Sequence, residues 1–337
     1  MRLLIKTLHH FSKLHRTSLN LQKHYASTWT LHRLKSRGLL KLTGSDVVPY
    51  LQGLVTNDVT VLHGCPSMYS MLLNVQGRVL YDLILYNSGS DVKAEDYGIL
   101  VEHDRSITQE LTKILKRYKI RRKVALSDIS EESQVFAALP VDNTESNEPS
   151  LEQKNLSNIA EDPRLNVFGT RIIAQSEDKI LQSVCGDTEL LPSTEESYHE
   201  CRYRLGISEG VTDIPPGTSF PLESNLVYLN GVCFHKGCYI GQELTARTFH
   251  TGVTRKRLMP LQFDCVPKGL SSGNSIVNQN GKSVGKFRNS EGKYGLGLLR
   301  VADITGPLTI TNTDGQTYNV ISEPPSWWPR DDDKGYL

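Results

Sequence analysis

An α+β fold that ends in a small antiparallel barrel is predicted for this 337-residue chain by two observations. Segments with helical and with strand periodicity are segregated along the sequence instead of alternating strictly. From Arg257 to Glu323, short apolar runs are separated by four turn signals, "PKGLSSG", "NQNGKS", "NSEGK" and "NTDGQT". Two of these contain Asn280-Gly281 and Asp314-Gly315, pairs that favour tight hairpins. The length suits two or three domains of ordinary size. No run of about 20 apolar residues is present, the length a membrane-spanning helix needs.

The N-terminal segment reads as a leader. No Asp or Glu precedes Asp46, whereas Arg2, Lys6, Lys13, Arg16, Lys23, Arg33, Lys35, Arg37 and Lys41 all do. On a helical wheel Arg2, Lys6, His9, Lys13 and Arg16 share an arc of roughly 80°, opposite Leu3, Leu4, Leu8, Phe11 and Leu14. A basic amphipathic helix with Ser and Thr and no long apolar stretch has the character of a mitochondrial transit peptide, here assigned to residues 1–36. A basic surface arm is the alternative. Without those nine cations, 29 basic residues face 37 acidic ones, a net charge of −8. The remainder is therefore acidic and carries no general footprint for nucleic acid.

Residues 37–254 are expected to form the α+β region. "GLLKLTGSDVVPYLQGLVTNDVTVL" gives a short strand, then Ser45 as helix cap, then a helical face of Val47, Leu51, Leu54 and Val55. Two apolar runs flanking Gln76 and Gly77 predict a hairpin. In "HDRSITQELTKILKRY" Ile107, Leu111, Ile114, Leu115 and Tyr118 fall on one side, with Asp104 as cap and cations gathered at the far end. This helix leads into the strand "KVALSDI". Residues 141–162 are too polar to fold alone and are expected to be a surface excursion. Residues 255–323 form the barrel, and the tail 324–337 is expected to fray.

The six cysteines lack framework spacing, so they are expected to be reduced thiols. One of them stands out in "FHKGCYIGQELTAR". Cys238 lies between Gly237 and Gly241, two residues after Lys236, and just before what reads as the opening of a helix. A cation and a helix N-terminus favour thiolate, and flanking glycines leave room for a bulky partner to approach. A buried structural cysteine in a glycine-rich turn fits the same residues. A zinc site from Cys233 and Cys238 with His235 or His250 lacks the second cysteine pair that such sites use.

The string "KGCYIGQE", Lys236 to Glu243, resembles the signature loop of the YgfZ family. These are folate-binding-fold proteins, related to the aminomethyltransferase (T-protein) of glycine cleavage, that assist iron-sulfur cluster assembly. The blocks "YLQGLVTNDV", "LNVQGRVLYDLILY", "DPRLNVFGTR", "FPLESNLVYLNGV" and "GQELTARTFHTGVTRKRL" are similar to family blocks in the expected order, from about Gly38 to Arg300. With the leader, the resemblance is to the mitochondrial branch, which serves four-iron four-sulfur proteins. It implies a three-lobed fold in which the chain crosses between the first two lobes before the C-terminal barrel. It implies that Cys238 is the functional thiol or cluster ligand, supported by Lys236, Gly237, Tyr239, Gly241, Gln242 and Glu243. It also implies a matrix location and an A-type iron-sulfur carrier as partner, a cluster being shared between the two. The protein alone is then a monomer, and a heterodimer forms with the carrier.

Tetrahydrofolate is the other ligand that the resemblance brings, with Asp82, Arg247 and Arg255 as contacts. Here the sequence departs from the transferases. Their strand carries two adjacent acids where this chain has Tyr81 and Asp82, and the carboxylate that meets the pterin falls at or beside Arg204. A guanidinium cannot accept hydrogen bonds from pterin donors. Alternation puts Asp82 on the face of Leu80 and Ile84, as an inward carboxylate or as an acid at an edge. Lys236, Arg247, Arg255, Lys256 and Arg257 form a local basic cluster that suits a folate tail, an acidic partner face or plain solvent. A non-enzymatic assembly factor is the reading that follows, and a folate-dependent one-carbon transferase is the alternative.

Overall fold

A computed structural model describes residues 27–88, 97–141, 149–153 and 156–329. The amphipathic basic helix expected at the N-terminus lies outside them. The chain begins in one sheet, leaves it to build a second, and then returns. The first sheet has the order β10-β1-β7-β9-β8, from β1 (Ser27–Arg33), β7 (Gln134–Pro140), β8 (Asn158–Glu161), β9 (Thr170–Ala174) and β10 (Thr188–Ser193). The second has the order β3-β4-β5-β2-β6, from β2 (Arg37–Thr43), β3 (Ser67–Leu73), β4 (Val79–Asn87), β5 (Gly98–Asp104) and β6 (Ala125–Asp128). The crossing between two lobes is thus present, with β1 and β7 flanking the whole second sheet in sequence.

The position of β1 corrects the leader boundary. This strand pairs parallel with β10 and antiparallel with β7, and its Trp29 and Leu31 are buried. The fold therefore includes at least ten residues that charge alone had assigned to the leader. Arg33, Lys35 and Arg37 continue the basic run, but Trp29 and Leu31 alternate with Thr28 and Thr30, which is a strand period. Arg37 is itself buried, because it is paired inside the protein.

In the second lobe the hairpin around Gly77 is formed, β3 pairing with β4. Helix α1 (Val47–Gln52) is capped at Asp46 and not at Ser45, without a side-chain hydrogen bond, and Leu54 and Val55 lie in the turn that follows. Asp104 does cap, accepting from the Ser106 amide at 2.9 Å, and a 3-10 turn then leads into α2 (Thr108–Lys119). The excursion ends sooner than expected. Leu156 and Asn158 are buried, and β8 occupies a sheet edge. Helix α3 (Glu177–Leu181) packs on β9, and α4 (Glu195–Leu205) lies between β1 and the C-terminal barrel; α5 (Gly210–Asp213) and α6 (Gln242–Thr251) follow.

The C-terminal barrel closes in the order β11-β14-β13-β12-β15-β16. Its strands are β11 (Lys256–Phe263), β12 (Ser275–Asn278), β13 (Ser283–Glu291), β14 (Tyr294–Arg300), β15 (Leu308–Thr311) and β16 (Thr317–Ile321). Gly281 and Gly315 turn the predicted hairpins at φ +74° and +82°. Beyond the barrel the chain does not fray at once. Trp327 donates its indole N–H to the Leu205 carbonyl at 2.8 Å, and Pro325 packs at Gly206.

Where the lobes meet, apolar side chains from both sheets form one core that includes Leu39, Tyr69, Ile84, Phe136's neighbours Val135 and Ala137, Tyr198 and Leu258. Within it lies a buried ionic network. Arg164 bonds to Asp162 through Nη2 at 2.7 Å and to Glu209 through Nη1 at 2.8 Å. Arg171 reaches Glu209 at 2.6 Å, Asp162 at 3.0 Å and Glu102 at 3.1 Å. Glu102 also accepts from Arg37 Nε at 2.8 Å and from the Tyr86 hydroxyl at 2.6 Å. Burial opposes ionisation of Glu209, yet Arg171, Arg37 and Arg164 hold its carboxyl well below the usual glutamate value.

Removing one partner from a buried ion pair strands the other's charge, which costs about 3–5 kcal/mol. Glu209→Gln is therefore expected to lower the unfolding free energy by that amount in urea titration at neutral pH. The pKa of Glu209 is depressed in the fold, so its contribution is complete above its unfolded value of 4.5. It is lost as pH falls further, and the gap between wild type and variant should close in acid. A gap that stays constant down to the acid unfolding transition would contradict the assignment.

Candidate functional site

The loop of residues 234–241 carries Cys238 exposed at its tip. Four contacts tie the loop to the turn after α1. The Lys236 ammonium donates to the carbonyls of Val55 and Asn57, both at 2.7 Å, and stands 5.1 Å from the centre of the Tyr239 ring. The Ile240 amide donates to Gly53 O, and the Cys233 amide to Thr56 O, each at 3.2 Å. Tyr239 is buried in the central core, and its amide donates to Gln242 Oε1 at 2.8 Å. The tip is thus exposed while both its flanks are fixed.

Glycine is required at Gly241. Its φ is +79°, and a Cβ there would lie 2.3 Å from the Asn74 carbonyl oxygen. The turn at Gly77, φ +78°, packs against this one, so the β3–β4 hairpin and the start of α6 meet backbone to backbone. Gly237 by contrast faces open space. Around Cys238 lies an open depression of 580 Å³, lined also by Val75, Gln76, Ile240, Gln242, Glu243 and Arg247. Val75 is 70% exposed, an apolar side chain presented to solvent beside the thiol. The sequence reading missed Val75 and Gln76, whose only signal was the hairpin turn itself.

The Lys236 ammonium is committed to the backbone of the turn after α1. Both of its named acceptors are backbone carbonyls, and burial pushes its ammonium down to about 8 against the attraction of Asp58. Its sequence position beside Cys238 says nothing about direction, and the side chain turns inward. Of the two readings of Cys238, the exposed thiol is the one present; Cys233 is half-buried. Phe234 and Phe249 stack nearby with centroids 4.0 Å apart, and His250 meets both edge-on. Among the described residues, no three His, Cys, Asp or Glu side chains converge to hold a metal ion.

The remaining candidates are dispersed. Arg247 is exposed in the depression, whereas Arg255 lines a separate cavity. Asp82 is 2% exposed, deep between the lobes, accepting from the Gly210 amide at 3.0 Å and lying 3.5 Å from Arg37. Burial raises its carboxyl above the usual value, against the pull of Arg37. The inward reading of Asp82 holds, with one correction: a bulge that leaves Leu80 without a partner on β3 turns it with Tyr81 into a second core, shared with Leu51, Leu111 and Leu115 of the second lobe, so Asp82 shares its face with Ile84 and Tyr86. Arg204 is exposed on α4, and the carboxylate nearest in sequence to the interior is Glu209, which the arginines occupy.

These residues do not fit tetrahydrofolate. The cavity beside the network, lined by Arg37, Asp104, Arg202, Glu209 and Asp213, measures 120 Å³. Pockets that enclose a drug-sized ligand run from about 300 to 1,000 Å³. Glu209 Oε2 accepts from Arg164, Arg171 and Tyr198, and Asp82 Oδ1 from the Gly210 amide, while Asp82 Oδ2 lies buried 3.5 Å from Arg37 with no hydrogen-bond partner.

Residues 255–330 match the family described as the CAF17 C-terminal beta-barrel domain. The chain is 42% identical over 317 residues to "Iron-sulfur cluster assembly factor IBA57, mitochondrial" of Mus musculus, covering 89% of this chain and 86% of that protein. The protein of that name from Homo sapiens is 41% identical over 315 residues, covering 90% and 86%. A homologue from Mycosarcoma maydis is 31% identical over 360 residues, covering 91% and 86%. Among solved structures, the glycine cleavage system aminomethyltransferase T from Bartonella henselae superposes with a TM-score of 0.67 at 15% identity, over 90% of this chain and 87% of that one. At that identity the likeness is one of fold.

A hydrogen bond from a charged group contributes about 1.5–3 kcal/mol, and 1.4 kcal/mol is tenfold in an equilibrium. Lys236→Met is therefore expected to raise amide exchange across residues 236–241 by about tenfold or more, with a lower melting temperature. Unchanged exchange in the loop would mean that the ammonium is not what fixes it.

Proposed function

The chain belongs to the IBA57 family of mitochondrial iron-sulfur cluster assembly factors, and on that premise we propose that Cys238 gives one thiolate to a cluster it shares with an A-type carrier. The observation that carries this reading is a single exposed thiol on a loop whose flanks are fixed, beside a depression open enough for another protein surface. One thiolate cannot complete the coordination of cluster iron, which in proteins is commonly held by four cysteines. The other ligands must then come from a partner, and a cluster carrier supplies them. The cluster is cargo here, destined for four-iron four-sulfur proteins.

The exposed Val75 gives the partner an apolar contact beside the thiol, and Arg247 adds a cation for an acidic rim. Residues 1–26 act as the import leader in this reading, with the matrix as destination. The one-carbon transferase alternative is less well supported. It would need Tyr81 to act in place of an acid, but Tyr81 packs with Leu51, Leu111 and Leu115 in the second lobe, and Asp82 is engaged by Gly210 and Arg37.

The test is anaerobic mixing of the purified protein with an A-type carrier loaded with iron and sulfide, followed by absorption spectroscopy. The wild type is expected to shift the visible spectrum with one-to-one stoichiometry, and Cys238→Ser to leave the carrier's spectrum unchanged while folding normally. Cys233→Ser should behave as wild type. Full spectral change with Cys238→Ser would overturn the role given to the thiol.

A further inference from the structure

A second cavity runs along α6 and shares only Leu244 with the lining of the depression at Cys238. Its volume is 310 Å³, within the size range of small-molecule sites. Apolar side chains supply part of the walls. Phe220, Pro221, Leu222, Leu244 and Val253 line it, and the Phe220 ring is fixed by the Arg78 guanidinium 3.7 Å above its centroid. Val253 is 78% exposed, apolar surface left in water at the edge of an apolar hollow.

Polar side chains interrupt this lining, Thr248 and Thr254 among them, and three features bear on what it can bind. Thr245 is 2% exposed, and its buried hydroxyl has no hydrogen-bond partner in the protein. A buried hydroxyl without a partner costs about 1–3 kcal/mol, and on a cavity wall a ligand can supply what the protein does not. Arg255 and Lys256 stand side by side on the lining, Arg255 being exposed. Neither has an ion-pair partner among the described residues. Glu223 also lines the cavity; burial raises its carboxyl above the usual value, against the attraction of Lys256, Arg78 and Arg288.

We infer that this cavity binds a small amphipathic carboxylate: an acyl chain with its apolar body against Phe220, Leu222, Leu244 and Val253, its carboxylate at Arg255 and Lys256, and a hydroxyl or keto oxygen for Thr245. At interior packing density the space admits a chain of about ten carbons. Decoupled from the thiol by a different wall of α6, the site does not depend on the role given to Cys238.

The test uses the full chain and two probes, decanoate and 3-hydroxydecanoate, with affinities read by isothermal titration below their micelle concentrations. Both are expected to bind, the hydroxylated chain more tightly. Arg255→Glu, at an exposed position, should weaken both at least tenfold. Thr245→Val, which keeps the side chain's shape, should abolish the preference for 3-hydroxydecanoate and leave decanoate within twofold. Circular dichroism establishes that each variant is folded, and Cys238→Ser should bind both probes as the wild type does. Absence of binding by either probe, or binding indifferent to Arg255→Glu, overturns the inference.

Discussion

The arrangement of the lobes depends on a set of carboxylates and guanidinia taken out of water together. Glu102 on β5, Arg37 on β2, Arg171 on β9 and Glu209 before α5 come from both sheets and from the segment that leads to the barrel. Each charge is tolerable inside only because its partners are in place, so the sheets cannot slide against one another without stranding one. This makes the network a constraint on register and orientation more than a source of net stability. Its second consequence concerns chemistry. The cavity that remains beside the network measures only 120 Å³.

A smaller set of fixed contacts shapes the surface loop that carries Cys238. Lys236 spends its charge on two backbone carbonyls, and Tyr239 anchors in the core three residues later. Gly241 and Gly77 let two turns approach closer than any side chain permits. Together they present Cys238 without strain at the thiol itself and with little freedom for it to fold back. A ligand offered to a partner needs that combination, because ordering a floppy loop on binding would oppose association.

Much of this was legible locally. Turn pairs such as Asn280-Gly281 are short-range signals, and the barrel follows from them. The helical face of Leu111 and Leu115 and the hairpin at Gly77 are equally local, and "KGCYIGQE" pointed to the thiol before any geometry. What escaped has a common cause. Arg37, Glu102, Arg164, Arg171 and Glu209 are far apart in sequence, and nothing near any of them announces that it will be buried. For the same reason Arg37 was counted with the leader's cations, and β1 with it, since a seven-residue strand is a weak signal inside a long basic run. Lys236 shows the limit most clearly: adjacency to a cysteine gave its chemistry but not its direction.

Cysteine protection tests the central claim most directly. Alkylation with iodoacetamide, read by mass spectrometry, reports each thiol separately, and Cys65 and Cys265 are exposed as Cys238 is. If Cys238 holds iron jointly with a carrier, it alone among the three should resist alkylation once cluster and carrier are both present, and should react again when iron is chelated. Alkylation of Cys238 at an unchanged rate within the cluster-bound complex would contradict the account.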